Sequence, residues 1–213
     1  MLRSFTKYQV KIISALELKA EYWTDDAALL IIGGGADIYY TRKLNGQGNT
    51  VIKRYIDNGG KYLGICAGAY YACNAIEFAV RTKLELIGDR ELKLFNGKAI
   101  GPLFNKYSYQ DNSGATPAIV QVNRIGTLPI FFNGGCYFSN GDCKVIAHYS
   151  ELNLPAIISV KNDHVILSGV HFEYDPVTMD YSDIYLSKVA KVLLPAEILR
   201  QTLVCHIFHL LQL

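Results

Sequence analysis

The stretch Lys61-Tyr62-Leu63-Gly64-Ile65-Cys66-Ala67-Gly68-Ala69-Tyr70 sets a short apolar run directly against a cysteine framed as Gly-x-Cys-x-Gly. Tyr62 to Ile65 reads as a strand, and Ala69 to Phe78 as a helix. Glycines on both sides allow the sharp reversal with which a strand-to-helix elbow presents a nucleophile. A thiol at that place meets unsatisfied N–H groups and the positive end of the helix dipole, which favour the reactive thiolate. The competing reading is a small buried cysteine with glycines that only permit tight packing, the common state of a lone cysteine. The rest of the chain decides between them.

Upstream, Ala27 to Ile32 is a continuous apolar run stopped by Gly33-Gly34-Gly35, as expected of a parallel strand buried on both faces. The N–H of Gly34 or Gly35, with that of Ala67, could stabilise an oxyanion; a plain tight turn explains the glycines equally well. A dinucleotide fingerprint would need glycine at position 38, where Ile38 stands, and no Gly-Lys-Ser/Thr is present for a P-loop. Downstream, Ser168-Gly169-Val170-His171-Phe172-Glu173 follows the apolar run Val165 to Leu167. In an extended segment His171 and Glu173 project to one side, where a carboxylate can orient an imidazole. Paired with an elbow cysteine, this His-x-Glu outweighs the reading of His171 as an ordinary packed residue. His148, His164, His206 and His209 lack such a partner and read as structural.

Between these motifs the patterns alternate in type. Tyr8 to Ile12 reads as a short strand, followed by a capping box at Ser14-x-x-Glu17. A helix is expected from an N-cap at Asn49 to the stop Asn58-Gly59-Gly60. Short alternating runs at Leu84 to Ile87, Ala118 to Val122, Lys144 to His148 and Ala156 to Leu167 predict antiparallel strands, the last folded as a hairpin about Asn162-Asp163. After Asp175-Pro176 the chain turns helical. Strand, helix, strand, elbow and helix are the ingredients of right-handed βαβ units around a parallel sheet. With 213 residues, no linker and no repeat, the expectation is a single α/β domain over 1–213, a flavodoxin-like parallel sheet flanked by helices with added antiparallel strands.

Composition narrows the function classes. Half of the residues are apolar and 19% are charged, with a formal charge of +2 and no basic run, so neither a nucleic-acid footprint nor a membrane-surface patch is expected. No stretch is long enough to span a bilayer, and the first residues lack the apolar core of a secretory signal. Five cysteines without framework spacing read as reduced thiols in a cytoplasmic protein; Cys136 and Cys143 flank a turn and Cys73 reads as core. Without Cys-x-x-Cys or His-x-x-x-His spacing no metal is expected, and nothing calls for a cofactor.

Gly-Gly-Ala-Asp at 34–37, Gly-Ile-Cys-Ala-Gly-Ala-Tyr at 64–70, Asn-Gly-Gly-Cys-Tyr-Phe at 133–138 and the late His-x-Glu together resemble the N-terminal domain of eukaryotic-type biotin–protein ligases. That domain is itself similar to class I glutamine amidotransferases. The resemblance spans about residues 8 to 190. It implies Cys66 as nucleophile, His171 as base and Glu173 as its orienting partner, with Tyr70, Gly135 and Tyr137 at the substrate. Three departures qualify it. Tyr70 stands where amidotransferases typically carry a substrate-holding glutamine, so glutamine is an unfavourable substrate. Phe172 replaces the usual proline. The strand and helix that usually precede the segment matching Tyr8 to Ile13 are not seen. No segment resembles a biotin-activating domain, so biotin ligation by this chain alone is not expected.

Two functions follow from these residues. One is a cysteine-nucleophile amidase or related hydrolase acting on a small molecule, with Tyr39, Tyr40, Tyr70, Tyr71, Tyr137 and Phe138 as candidate pocket walls. The other is a non-catalytic module that binds a ligand, a partner protein or a second copy of the chain. An α/β-hydrolase order, with the acid before the histidine, fits the adjacent His171-x-Glu173 less well.

Overall fold

The computed structural model describes residues 7–104 and 107–213. Two β-sheets organise the described residues. The larger is built from β1 (Leu30–Ile32), β2 (Tyr62–Ile65), β6 (Thr116–Val122), β7 (Gly126–Phe132), β9 (Lys144–Tyr149), β10 (Leu154–Val160) and β11 (Val165–Ser168), in the order β1-β2-β11-β10-β9-β6-β7. Only its first three strands run parallel; β11, β10, β9, β6 and β7 pair antiparallel. The smaller sheet has the order β4-β3-β5-β8, from β3 (Cys73–Phe78), β4 (Leu86–Asp89), β5 (Phe95–Gly101) and β8 (Tyr137–Ser139). The helices are α1 (Ala15–Lys19), α2 (Asp37–Leu44), α3 (Gln47–Asp57), α4 (Ala67–Ala72), α5 (Ile184–Leu193) and α6 (Glu197–Leu210). Among the described residues, no helix is long and apolar enough to cross a membrane.

The parallel part follows from period-2 patterning of strands that are apolar on both faces. Tyr62, Val165 and Leu167 join Ile52, Tyr55 and Ile56 of α3 in one core. Leu63, Ile65 and Ile166 point the other way, onto Leu203, Val204, Ile207 and Phe208 of α6. The registers Ile32↔Gly64 and Ile65↔Ser168 level the carboxyl ends of β1, β2 and β11. The triple glycine, Cys66 and the Ser168–Glu173 segment therefore emerge side by side at one sheet edge, the place where open α/β sheets hold ligands.

Several local expectations are met. The capping box closes at Ser14, whose N–H donates to Glu17 Oε2 at 2.7 Å while its Oγ accepts from the Glu17 N–H at 3.2 Å. The hairpin joining β10 and β11 turns through Lys161, Asn162 and Asp163, all with positive φ. Gly59, with φ of 92°, ends α3. None of the five cysteines is in a disulfide.

Three expectations are corrected. Residues 8–12 form no strand. Tyr8 and Ile12 are exposed, so the alternation there has no sheet neighbour to satisfy it. The helix expected from Asn49 begins at Gln47, and Asn49 is not its cap: it is buried on the helix, its amide donating to Asn45 Oδ1 and its oxygen accepting from the Tyr71 hydroxyl. Finally, the helix expected over Ala69 to Phe78 ends at Ala72. The rest is β3, which pairs with β4 and β5 and buries Ile76 and Phe78, two residues apart. Tyr70, Cys73 and Ile76 are spaced three apart as in a helix, and long-range strand pairing overrides that local preference.

Candidate active site

Cys66 sits between β2 and α4 with φ 50° and ψ −109°, left-handed backbone that a non-glycine residue adopts only where its surroundings hold it. The holding bonds are visible: the Cys66 N–H donates to Ser168 O at 2.8 Å, and the Gly68 N–H to Gly33 O at 3.0 Å. Gly68 lies so close to the end of β1 that a Cβ there would stand 1.9 Å from Ile32 O. Gly64 is similarly restricted, its hypothetical Cβ lying 2.6 Å from Gly68 O. Both glycines of the frame are thus required by close approach.

His171 follows β11 and is fixed by its own N–H, which donates to Phe131 O at 2.8 Å. Its ring rests on Gly34, where a Cβ would meet Cε1 at 2.7 Å. Nδ1 pairs with Glu173 Oε1 at 2.7 Å, which leaves Nε2 as the nitrogen not engaged by the carboxylate. His171 is 6% exposed and Cys66 is 5% exposed. The thiol makes a long contact to Asn133 O at 3.8 Å, while the sulfur and the imidazole interact electrostatically. Burial disfavours the charged ring, but the Glu173 carboxylate and the Cys66 sulfur favour it more, so His171 titrates well above the ordinary imidazole range. Among the described residues, the N–H groups of Gly35 and Ala67 donate to no backbone acceptor. The structure thus brings Cys66, His171, Glu173, Gly34, Gly35 and Ala67 into one cluster.

Tyr70, Gly135 and Tyr137, the residues expected at the substrate, have different surroundings. The Tyr70 hydroxyl donates to Gly134 O at 3.2 Å, and its ring is buried edge-on to Phe78. Burial pushes its phenol far above the usual range. Gly135 packs on Gly169, whose carbonyl would lie 1.8 Å from a Cβ at position 135. Tyr137 lies on β8 opposite Ile100 and does not line the cleft at Cys66. Of the six aromatic walls expected from the sequence, only Tyr70 lines that cleft. Tyr39 is exposed, Tyr40 donates to Gly33 and Gly34 carbonyls, Tyr71 bonds Asn49, and Phe138 is core.

The observed walls are Asp37, Phe78, Tyr107 and Tyr109, with Gly35, Ala36 and Gly134. Tyr107 packs edge-on to Phe78 at 5.4 Å and to Tyr109 at 4.8 Å between ring centroids, and its ring covers Gly134. Asp37 was legible as part of Gly-Gly-Ala-Asp; the two tyrosines come from a distant connection and carried no signal. The cleft they leave has a volume of about 20 Å³, room for one water molecule. A larger surface cleft, about 430 Å³, opens beside Arg54, Tyr55 and Lys61, near the amino end of β2 and away from Cys66. No group of three or more potential metal ligands occurs among the described residues.

Because Glu173 helps to raise His171, Glu173→Gln is expected to move the His171 titration to lower pH, as read from the Cε1–H resonance. The sign for stability follows: His171 stabilises the fold in full below the unfolded imidazole value of about 6.5, and this contribution fades as pH rises through the folded value. The thermal midpoint of the wild type should therefore fall with rising pH above that point, and more steeply than that of Glu173→Gln. Equal slopes would show that the pair is not coupled.

The family model described as "Biotin-protein ligase, N terminal" matches residues 1–213. An uncharacterized protein of Chlamydia muridarum is 40% identical over 164 residues, covering 72% of this chain and 63% of its own. A biotin–protein ligase of Schizosaccharomyces pombe is 33% identical over 181 residues, covering 78% of this chain and 29% of its own. The match therefore spans less than two thirds of either relative. Among solved structures, a glutamine amidotransferase superposes with a TM-score of 0.57 at 15% identity, covering 87% of this chain and 80% of that one. A glutamine amidotransferase of Thermotoga maritima gives 0.54 at 13% identity, covering 89% and 80%. At such identities these two show a shared glutamine amidotransferase-like fold. With the sequence matched from end to end, the chain belongs to the biotin–protein ligase N-terminal family.

Proposed function

We propose that the protein is a cysteine-nucleophile acyl-transfer enzyme, an amidase or related hydrolase acting on a small molecule. The observation that carries this reading is the strained Cys66 elbow beside a buried His171 whose Nδ1 is held by Glu173 at 2.7 Å. Cys66 is the nucleophile, His171 the base and acid, and Glu173 the residue that fixes the imidazole's orientation. The thiolate attacks the acyl carbon, and Gly34, Gly35 and Ala67 offer N–H groups to the developing oxyanion. The imidazolium gives its proton to the leaving amine as the C–N bond breaks, which leaves a thioester on Cys66. His171 then takes a proton from water, and the hydroxide releases the acid and restores the thiol. Five unpaired cysteines support a reducing, cytoplasmic setting.

The narrowness of the cleft favours a second reading, a ligand- or partner-binding regulatory module that keeps the fold without turnover. An assay separates the two. Small amides and esters should be turned over in a manner lost in Cys66→Ala, whereas absence of Cys66-dependent turnover across a broad panel, with Cys66 inert to acylating reagents, would favour the module. Glutamine itself is expected to fail. Tyr70 offers one hydroxyl, already donated to Gly134 O, and a site short of a polar partner for its substrate loses discrimination steeply. Ammonia release from millimolar glutamine should not exceed that of Cys66→Ala; robust Cys66-dependent release would restore the amidotransferase reading.

A further inference from the structure

The ion pair at the rim of this cleft has no part in the proposed chemistry. Asp37, the first residue of α2, is 7% exposed, and Arg90, just after β4, is 6% exposed. Arg90 Nε donates to Asp37 Oδ2 at 2.5 Å and Nη1 to Asp89 O at 2.9 Å, while Nη2 is buried without a partner. A buried ion pair contributes little stability relative to an apolar replacement, and an unmatched donor makes it less favourable still. Stability does not explain its presence.

Its placement does suggest a use. Asp37 lines the same cleft as Cys66, and Arg90, its ion-pair partner, does not. Among the described residues, Asp37 Oδ1 has no hydrogen-bond partner and is not among the fully buried unpartnered atoms. Phe78, Tyr107 and Tyr109 line the same cleft, and aromatic faces attract cations. Burial first, and then the Asp37 carboxylate, raises the Tyr109 phenol.

We infer that Asp37 determines specificity at the Cys66 cleft, favouring acyl substrates that carry an amino or other cationic N–H group and disfavouring those that carry a carboxylate. The inference rests on Cys66 being the reacting group of the proposed function, and it is tested by charge-matched probes. Aminoethyl and sulfonatoethyl methanethiosulfonates both form a disulfide with a thiolate as methanesulfinate leaves, and they differ in charge. Their initial rates are read by peptide mass spectrometry at Cys66 and, in the same molecules, at exposed Cys205.

The cationic-to-anionic rate ratio at Cys66 should exceed that at Cys205 by about tenfold, as expected of a nearby charge at a partly buried site. It should fall to the Cys205 ratio in the double variant Asp37→Asn/Arg90→Met, chosen because Asp37→Asn alone would leave a buried unpaired guanidinium. The His171 imidazolium biases the probes the other way, so a cationic preference cannot come from it. Equal ratios at the two cysteines, or a Cys66 ratio unchanged in the double variant, would overturn the inference. Should the double variant not fold, the wild-type comparison decides alone. Failure of the catalytic reading is separately visible as Cys66 labelling indifferent to His171→Ala, with the charge ratio intact.

Discussion

His171→Ala is expected to slow alkylation of Cys66 by iodoacetamide at pH 7 about tenfold, while Cys205 in the same molecule reacts as before. A thiol without a partner is only a few per cent thiolate at neutral pH, and its higher intrinsic nucleophilicity recovers part of the loss, so about tenfold is what removing a stabilising cation leaves. Cys205 is an internal control because it is exposed and lies on α6, outside the cleft. Cys73 and Cys136 should stay unlabelled in both proteins, since burial pushes both thiols well above the usual range. Since Cys66 is 5% exposed, its absolute rate also reflects reagent access, so the comparison is of variant with wild type. Unchanged Cys66 labelling in His171→Ala would mean that the imidazole does not activate the thiol.

Gly68→Ala is expected to cost the fold about 3 kcal/mol or more, roughly a hundredfold in the folding equilibrium, at the upper end of overpacking substitutions. The reason is the 1.9 Å approach of a Cβ to Ile32 O, a backbone atom that cannot turn aside as a flexible side chain could. Relief would require separating α4 from the end of β1, and with it the Gly68 N–H to Gly33 O bond that places the elbow beside the triple glycine. Urea denaturation should show a lower midpoint with an unchanged slope. By contrast Gly59→Ala, at φ 92° with open space around it, should cost only the modest strain of a left-handed alanine. A Gly68→Ala protein as stable as the Gly59→Ala protein would refute the packing argument.

The elbow and the His-x-Glu pair were legible because their constraints are local. Gly64 and Gly68 flank Cys66 in sequence, and His171 and Glu173 lie two residues apart, near enough to pair; they do so across a turn, closed by the Tyr174 N–H on His171 O at 3.4 Å, and not on the extended segment expected. The strands β1 and β2 were legible for a related reason, being apolar runs set against glycine-rich turns, whereas β11 was expected only as an antiparallel hairpin arm and also pairs parallel with β2. What the sequence hid depends on distant partners. Cys73–Phe78 is a strand only because β5 and β4 pair with it, and helical spacing of its apolar residues gives no warning. The segment at 8–12 has the alternation of a strand and no strand beside it. The cleft walls Tyr107 and Tyr109 arrive from a connection far along the chain, so of the aromatic residues next to the motifs only Tyr70 was rightly chosen. Arg90 likewise meets Asp37 across 53 positions, a pairing that only the fold reveals.

The claim that Cys66 is a nucleophile assisted by His171 is tested most directly by acyl transfer itself. The folded protein is incubated with p-nitrophenyl acetate at neutral pH, quenched in acid, and mapped by peptide mass spectrometry. The account predicts an acetyl thioester on Cys66 ahead of any other site, strongly reduced in His171→Ala and absent in Cys66→Ala. Acetylation confined to exposed side chains, with Cys66 unmodified in the wild type, would contradict it.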